Sequence, residues 1–509
     1  MIHRIRFVPP PDGGCVVLAW TSRLYGDRLR NWLRASFVIA LAALLVPTFA
    51  AVPSPLVTGP ITSSGTPGNT AHDYIFFATT HDLPTQGYIE QEFFIEGSAN
   101  RYTTPAGATG AIVDSGHPYR TRIVVRRPAN DKDFNGTVLV EWTNVTNGFD
   151  AENVWFFGWE HFLRAGYAWV GVSAQHVGVD RLKTWSPSRY GSLDVTVGGT
   201  ITNDALSYDI FSQVGQALRN NSDNVLGSLK PRTFIATGES QSAFFLATYA
   251  NSVIPLGNVW DGMLLQSTFG SPMRTDLPLP IFKVLFEWDL ITGEVAARQP
   301  DTARLHRWEV AGTAHVDYHL RLSREPLELR DLGTSSEATL APQCGDPNIG
   351  SRVPNHWVVD AAFDQLVRWV QQGRQPTPSP LVQVASMNTN GTAVLARDQF
   401  GQALGGIRLS QLEVPTARNV GQNTGPSACA RWGYSEPLDI ATLDSLYPTH
   451  ASYVESVIRV TAQNVRNGFL LEGPAVETVL DAIDSRVGAK GDRGAFGRRG
   501  DSSVRDLVH

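Results

Sequence analysis

Residues 233–249 constrain this chain more than any other stretch. Thr233-Phe-Ile-Ala-Thr237 is β-branched and apolar, as a buried strand is, and Ala243-Phe-Phe-Leu-Ala-Thr-Tyr249 is an apolar helix former. Between them stands Gly238-Glu239-Ser240-Gln241-Ser242. A strand that turns sharply on a serine and enters a helix lifts the hydroxyl clear of the strand end. The turn is strained, so the positions two residues to either side must be small. Gly238 meets that requirement; Ser242 stands where a second glycine is expected and is small without being glycine. The bland alternative is a polar turn between a core strand and a core helix. The strand-to-helix setting favours a nucleophile elbow over it.

The chain around this turn alternates between the two periodicities. Gly136–Trp142 and Gly166–Ser173 read as strands separated by an amphipathic helix over 151–165. A helix over 205–218 precedes the elbow. Strands over 259–266, 280–286 and 305–310 follow it, and then a helix over 357–372 that stops at Gly373. Strand and helix in alternation imply a mostly parallel sheet with helices on both faces. Before it, residues 52–135 read as loops and strands, with Gly87–Glu96 and Tyr119–Arg127 strand-like, an N-terminal β-rich extension ahead of the main sheet. Residues 176–202 look irregular. Residues 376–485 form a C-terminal β/α addition, with helices over 451–466 and 474–483, and the Gly-rich stretch 486–509 reads as a disordered tail. The core region is thus 52–375, with 176–202 and the addition as candidate lids.

Residues 1–51 read as an export segment. Arginines precede the apolar run Ala35–Val46, and Pro47-Thr-Phe-Ala-Ala51 supplies small residues for cleavage; an uncleaved anchor is the alternative. Export makes the protein periplasmic or extracellular, and any membrane association would run through residues 35–51. Cys344 and Cys429 lie in loop-like surroundings and either form one disulfide in an oxidising compartment or remain two thiols. With 509 residues, 42% of them hydrophobic, the chain can bury a large core. A net charge of −6 gives no basic surface for nucleic acid.

Acyl transfer on a serine needs a base beside the hydroxyl, an acid that orients the base, and donors for the oxyanion. In the α/β-hydrolase order these come as serine, acid, histidine. The acid candidates follow the strand 281–286, in Glu287-Trp288-Asp289. Asp289 is preferred because it lies further into the loop, with Glu287 as the alternative. The base candidate is His315, after the last strand and the small residues Ala311-Gly-Thr-Ala314. The oxyanion donors expected are the N–H of Gln241 and that of Val145 or Asn144, in the loop Thr143–Gly148. A rival chemistry would use His315-Val-Asp317-Tyr-His319 as metal ligands. No His-Glu-x-x-His pattern or third ligand supports it, so no metal and no cofactor is expected, and His319 reads as a surface or structural residue.

Over roughly residues 80–480 the chain resembles the large bacterial "alpha/beta hydrolase domain" proteins. The resemblance is carried by Gly87-Tyr-Ile-Glu-Gln-Glu-Phe-Phe-Ile-Glu-Gly-Ser-Ala-Asn100, Asn135-Gly-Thr-Val-Leu-Val-Glu-Trp-Thr-Asn-Val145 and Tyr208-Asp-Ile-Phe-Ser-Gln213. It continues in Gly238-Glu-Ser-Gln-Ser242, Trp308-Glu-Val-Ala-Gly-Thr-Ala-His315 and Leu404-Gly-Gly-Ile-Arg-Leu409. The family's elbow is similar in following its serine with Gln-Ser. The resemblance implies an α/β-hydrolase fold with Ser240 as nucleophile and His315 as base. The family usually has Glu-Thr-Asp where this chain has Glu287-Trp-Asp289, which keeps both carboxylates and leaves the choice of acid open. It implies no particular substrate. The expectation is therefore an exported serine esterase acting on a small-molecule ester, its oligomeric state open. The alternative is a hydrolase-like binding protein with a dead site.

Overall fold

In the computed structural model, which describes residues 51–489, nine strands form one sheet. They are β1 (Leu56–Thr58), β2 (Tyr88–Tyr102), β3 (Ile112–Pro128), β4 (Thr137–Trp142), β5 (Ala168–Val172), β6 (Thr233–Glu239), β7 (Gly262–Gln266), β8 (Ile281–Leu285) and β9 (Leu305–Glu309). Their order is β1-β2-β3-β5-β4-β6-β7-β8-β9. From β5 to β9 every pairing is parallel, whereas β1, β2, β3 and β5 pair antiparallel. Residues 52–135 are thus continuous with the main sheet, because β3 runs antiparallel along β5 from Ile123 to Arg126. The leader read over 1–51 lies, except for Ala51, outside the described residues, as does most of the 486–509 tail. No helix among the described residues is long and apolar enough to cross a membrane.

The parallel strands are buried along their whole length, as strands covered on both faces must be. The helices of ten residues or more are α1 (Asn153–Ala165), α2 (His176–Trp185), α3 (Ser207–Asn220), α4 (Gln241–Ser252), α5 (Tyr318–Leu332), α6 (Asn355–Gln372), α7 (His450–Asn467) and α8 (Glu472–Asp484). On one face α1 packs against α5 and α6. On the other, Trp142 at the end of β4 is fully buried against Phe211 of α3 and Phe245 of α4, with ring centroids 5.0 and 5.6 Å apart. Burying an aromatic ring of this size stabilises the fold by roughly 2–3 kcal/mol. Strand β4 also starts α1: the Glu141 carboxylate accepts the N–H groups of Val154 and Trp155 at 2.9 and 3.1 Å, two of the donors a helix start leaves without intrahelical partners.

Two readings of the chain need correction. Residues 176–202 are not irregular: they carry α2 and the one-turn helix Pro187–Tyr190. Residues 318–332, which the sequence pattern left unassigned, form α5. Asp317 caps its start by accepting the His319 N–H, and Gly333 ends it at φ 74°. Pro326 inside this helix is what hides it, since proline reads as a breaker. The C-terminal addition closes the free edge of the sheet. Ile407 pairs with Val310 just past β9, donating to Glu309 O at 2.7 Å and accepting from Ala311 N at 3.0 Å. Phe469, beyond α7, packs edge-on to Trp308 of β9.

A disulfide joins Cys344 to Cys429, 85 residues apart, tying the segment after α5 to the turn Cys429–Arg431. Nearby, His319 lies on a ring column: it stacks on His356 at 4.1 Å and faces Trp159, which stacks on His81 at 3.5 Å. Burial, reinforced by the charge on His356, holds the His319 imidazole down at about 3. Burial likewise holds that of His81 at about 4.

The unfolded chain protonates both histidines near their ordinary value of 6.5, and the folded chain does not. Their contribution to stability is therefore whole above pH 6.5 and is lost as pH falls toward 3–4. A His319→Gln variant, followed by thermal unfolding, should lose less of its Tm between about pH 7 and about pH 5 than the parent; an equal loss would show that this ring does not carry the acid sensitivity. Replacing both Cys344 and Cys429 by serine should lower the unfolding free energy by about 4.6 kcal/mol, the chain-entropy value for a loop of this length. Chemical denaturation of the oxidised parent against the double variant measures it.

Candidate active site

The site forms at the carboxyl ends of β4 and β6, where successive connections leave the sheet in opposite directions and a crevice opens. At the tip of β6, Ser240 has φ 60° and ψ −121°, a left-handed backbone that a side chain rarely adopts. Its N–H is held by Gln266 O of β7 at 2.9 Å, and its carbonyl accepts from Phe244 N at 3.0 Å as α4 begins. A Cβ on Gly238 would come within 2.9 Å of Ser242 Oγ and 3.0 Å of Leu246 Cδ1, so the close approach of α4 demands glycine there. Ser242 takes the place of the expected second glycine and adds a staple: its hydroxyl donates to Glu239 O at 2.9 Å and accepts Glu239 N–H at 3.0 Å.

Three of the residues picked out by sequence come together in one chain of hydrogen bonds. Ser240 Oγ lies 2.8 Å from His315 Nε2, and His315 Nδ1 lies 2.6 Å from Asp289 Oδ1. All three side chains are buried, Ser240 at 8% exposure being the most open. Asp289 sits on a helical turn, where its Oδ2 also accepts Phe286 N–H at 2.8 Å, and this fixes the carboxylate toward His315. Burial pushes the Asp289 carboxyl above the usual carboxylate range, against the pull of His315. The imidazole is walled by Trp288 and Phe269, with centroids at 4.7 and 5.5 Å. Trp288 is the residue that stands where the family usually has threonine.

Glu287, the alternative acid, is placed elsewhere. Its carboxylate accepts Gly312 N at 2.7 Å and Gly421 N at 3.1 Å, and pairs with Arg397 at 3.0 Å. It fastens the loop before His315 to the C-terminal addition. Of the two candidates for the second oxyanion donor, Asn144 spends its N–H on Ala151 O at 2.9 Å, so that backbone group is not available. Its side chain instead clamps the elbow, donating to Glu239 O at 2.9 Å. Val145 N–H faces the side-chain oxygen of Gln241 at 3.3 Å, and the Gln241 amide is held from behind by Gln175, at 3.0 Å, which also takes the Trp142 indole N–H. Gln241 N–H lies in the first turn of α4, where a helix leaves its donors without intrahelical partners. His319 does not join His315: one ring is turned to Ser240 and Asp289, the other to His356.

A narrow cavity of about 50 Å³ opens over Ser240. Its floor is Asn144, Asn147, Asn153, Glu239 and His315, and its far wall is Leu320 and Arg324 of α5 with Ser336 and Leu340 beyond. Thr146, Val316, Arg431 and Trp432 also line it. Residues 176–202 are absent from this lining, and the C-terminal addition contributes only Arg431 and Trp432 to it. The wall is therefore mostly the segment between His315 and α6, and the Cys344–Cys429 disulfide staples that segment to the turn bearing Arg431. Arg324 is buried with its Nε on Glu328 at 2.9 Å, and Glu328 in turn holds both the N–H and the hydroxyl of Ser336. The residue the sequence reading passed over is Glu239. Its carboxylate is buried beside Ser240, accepts Asn153 Nδ2 at 2.7 Å, and lies 3.5 Å from His315 Nε2. Its position inside the elbow itself was the available signal.

Among solved structures, this chain is similar to an α/β serine hydrolase without a lid from Xanthomonas campestris. The two share 16% identity over 46% of this chain and 93% of that one, with a TM-score of 0.27. It is also similar to an esterase from Rhizomucor miehei, at 11% identity over 47% of this chain and 82% of that one, with a TM-score of 0.26. No curated protein matches the sequence. Residues 57–479 match the family described as "Alpha/beta hydrolase domain". With a nine-stranded, mostly parallel sheet, a serine on the strand-to-helix turn and that match over most of its length, the chain belongs to the alpha/beta hydrolase domain family.

Proposed function

We propose that this protein is a serine hydrolase that cleaves carboxylic esters through an acyl-enzyme on Ser240. The observation that carries this reading is the unbroken chain Ser240 Oγ–His315–Asp289, at 2.8 and 2.6 Å. His315 Nε2 takes the serine proton as Oγ attacks the ester carbonyl, and Asp289 holds Nδ1–H so that Nε2 is the basic nitrogen. The oxyanion meets the N–H groups of Gln241 and Val145, the latter once the Gln241 side-chain oxygen gives way. Nε2 then hands its proton to the departing alcohol, and water completes the turnover by the same path reversed.

The cavity lining supports a small, polar ester. Asparagines, Thr146, Ser336, Arg324 and Arg431 outnumber the apolar Val316, Leu320, Leu340 and Trp432. A site built for long acyl chains would reward each added methylene by about 0.8 kcal/mol.

Ser240→Ala should lower kcat on the order of a millionfold and abolish labelling by a fluorophosphonate. Peptide mapping of the labelled parent should place the adduct on Ser240, and a folded parent that takes up no label would overturn the reading. In a series of 4-nitrophenyl esters, kcat/KM should fall at least about tenfold from acetate to octanoate, where an apolar acyl slot gives a rise; a rise would reject the small polar substrate.

A further inference from the structure

Glu239 is held as though for a purpose the serine–histidine–aspartate chain does not explain. Its side chain is 3% exposed, at the last position of β6 and directly before the nucleophile. One oxygen, Oε2, is fixed from two directions, by Asn153 Nδ2 of α1 at 2.7 Å and by Asn144 Nδ2 of the post-β4 loop at 3.4 Å. Glu239 lines the same cavity as Ser240, and its other oxygen, Oε1, takes no hydrogen bond from a donor among the described residues. His315 Nε2 lies 3.5 Å from it.

A carboxylate oxygen that faces an open cavity without a protein donor takes its hydrogen bonds from whatever enters that cavity. Two anchored amides prevent it from turning away. Only a group that brings its own hydrogens can occupy the position, and the position adjoins the one ring nitrogen that accepts and returns protons. We propose that Glu239 Oε1 and His315 Nε2 together form the seat of the deacylating water. This rests on the acyl-enzyme reading of Ser240.

The step balances with water as the only co-reactant. Once Oγ is acylated it no longer gives a proton to Nε2, and that nitrogen is free to accept one. Water donates one hydrogen to Glu239 Oε1 and the other to His315 Nε2. Its oxygen forms a bond to the acyl carbon as the second proton passes to Nε2. The tetrahedral intermediate collapses, the bond between the acyl carbon and Oγ breaks, and the proton on Nε2 goes to Oγ. Glu239 remains a carboxylate throughout, and the released acid keeps the hydrogen that pointed at it. Glu239 touches the reacting water and is in that sense catalytic, while Asn144 and Asn153 position it.

The test separates acylation from deacylation. Parent, Glu239→Gln, Glu239→Asp and Ser240→Ala enzymes are mixed with 4-nitrophenyl acetate. The nitrophenol burst is followed by stopped flow, and the protein is acid-quenched for intact mass and peptide mapping. In Glu239→Gln the shape is kept, but the amide oxygen stays on the Asn144 and Asn153 donors and an NH2 group takes the place of Oε1, so the acceptor for the water and the charge are both lost. The expected result is a burst approaching one equivalent and an acetyl group trapped on Ser240, with the slow phase reduced at least about tenfold more than the burst rate. Glu239→Asp, which restores the charge on a shorter arm, should trap less. A variant that has merely lost packing slows both phases together and accumulates no acetyl-enzyme, and that outcome overturns the assignment while leaving Ser240 as nucleophile. If the parent itself is never acetylated at Ser240, or Ser240→Ala gives the same burst, the underlying reading fails and this inference falls with it.

Discussion

The left-handed backbone at Ser240 costs roughly 1–3 kcal/mol, and it persists only because the structure around it permits no other path. Ser240 is pinned on each side. Before it, β6 is hydrogen-bonded into the middle of the sheet between β4 and β7; after it, α4 packs so closely that Gly238 has no room for a Cβ. The Ser242 hydroxyl bridges to both backbone groups of Glu239, and Asn144 from the neighbouring loop clamps the same carbonyl. Because the serine cannot relax, every other part of the site can be placed relative to it.

The same logic runs outward from the elbow. His315 needs a loop that returns over the sheet, and three anchors hold that loop. Glu287 takes the N–H of Gly312, Asp317 caps α5 while pairing with His356, and Arg431 O accepts Val316 N–H at 2.9 Å. Two of these anchors lead into the C-terminal addition, through Gly421 and Arg431. The addition therefore acts as a brace for the His315 loop and a cover for the β9 edge, with a small share in the pocket wall.

Buried charge is handled consistently. Arg122 and Arg126 lie within the sheet layer, paired with Glu92 and with Glu90 and Glu152, and Arg126 also sits over the rings of Trp155 and Trp169. Each such pair is an expense in desolvation that geometry has to offset. At the active site the accounting differs: Asp289 is matched to His315, whereas one oxygen of Glu239 is left facing the cavity.

The sequence by itself determined the alternation of strands and helices, the elbow and the Ser-acid-His order. These depend on local periodicity and on residues whose chemistry is scarce, such as Ser240 after Gly238 and His315 after a small-residue turn. What the sequence left open was decided by tertiary contact. Glu287 and Asp289 are two residues apart and chemically alike, and only the helical turn at 287–289 aims one at His315 and the other at Gly312 and Gly421. Asn144 and Val145 are adjacent, and pairing with Ala151 consumes one N–H and spares the other. The pocket wall escaped notice because α5 contains Pro326, which reads as a breaker, and because the wall is assembled from segments far apart in the chain, one bearing Cys344 and the other Cys429.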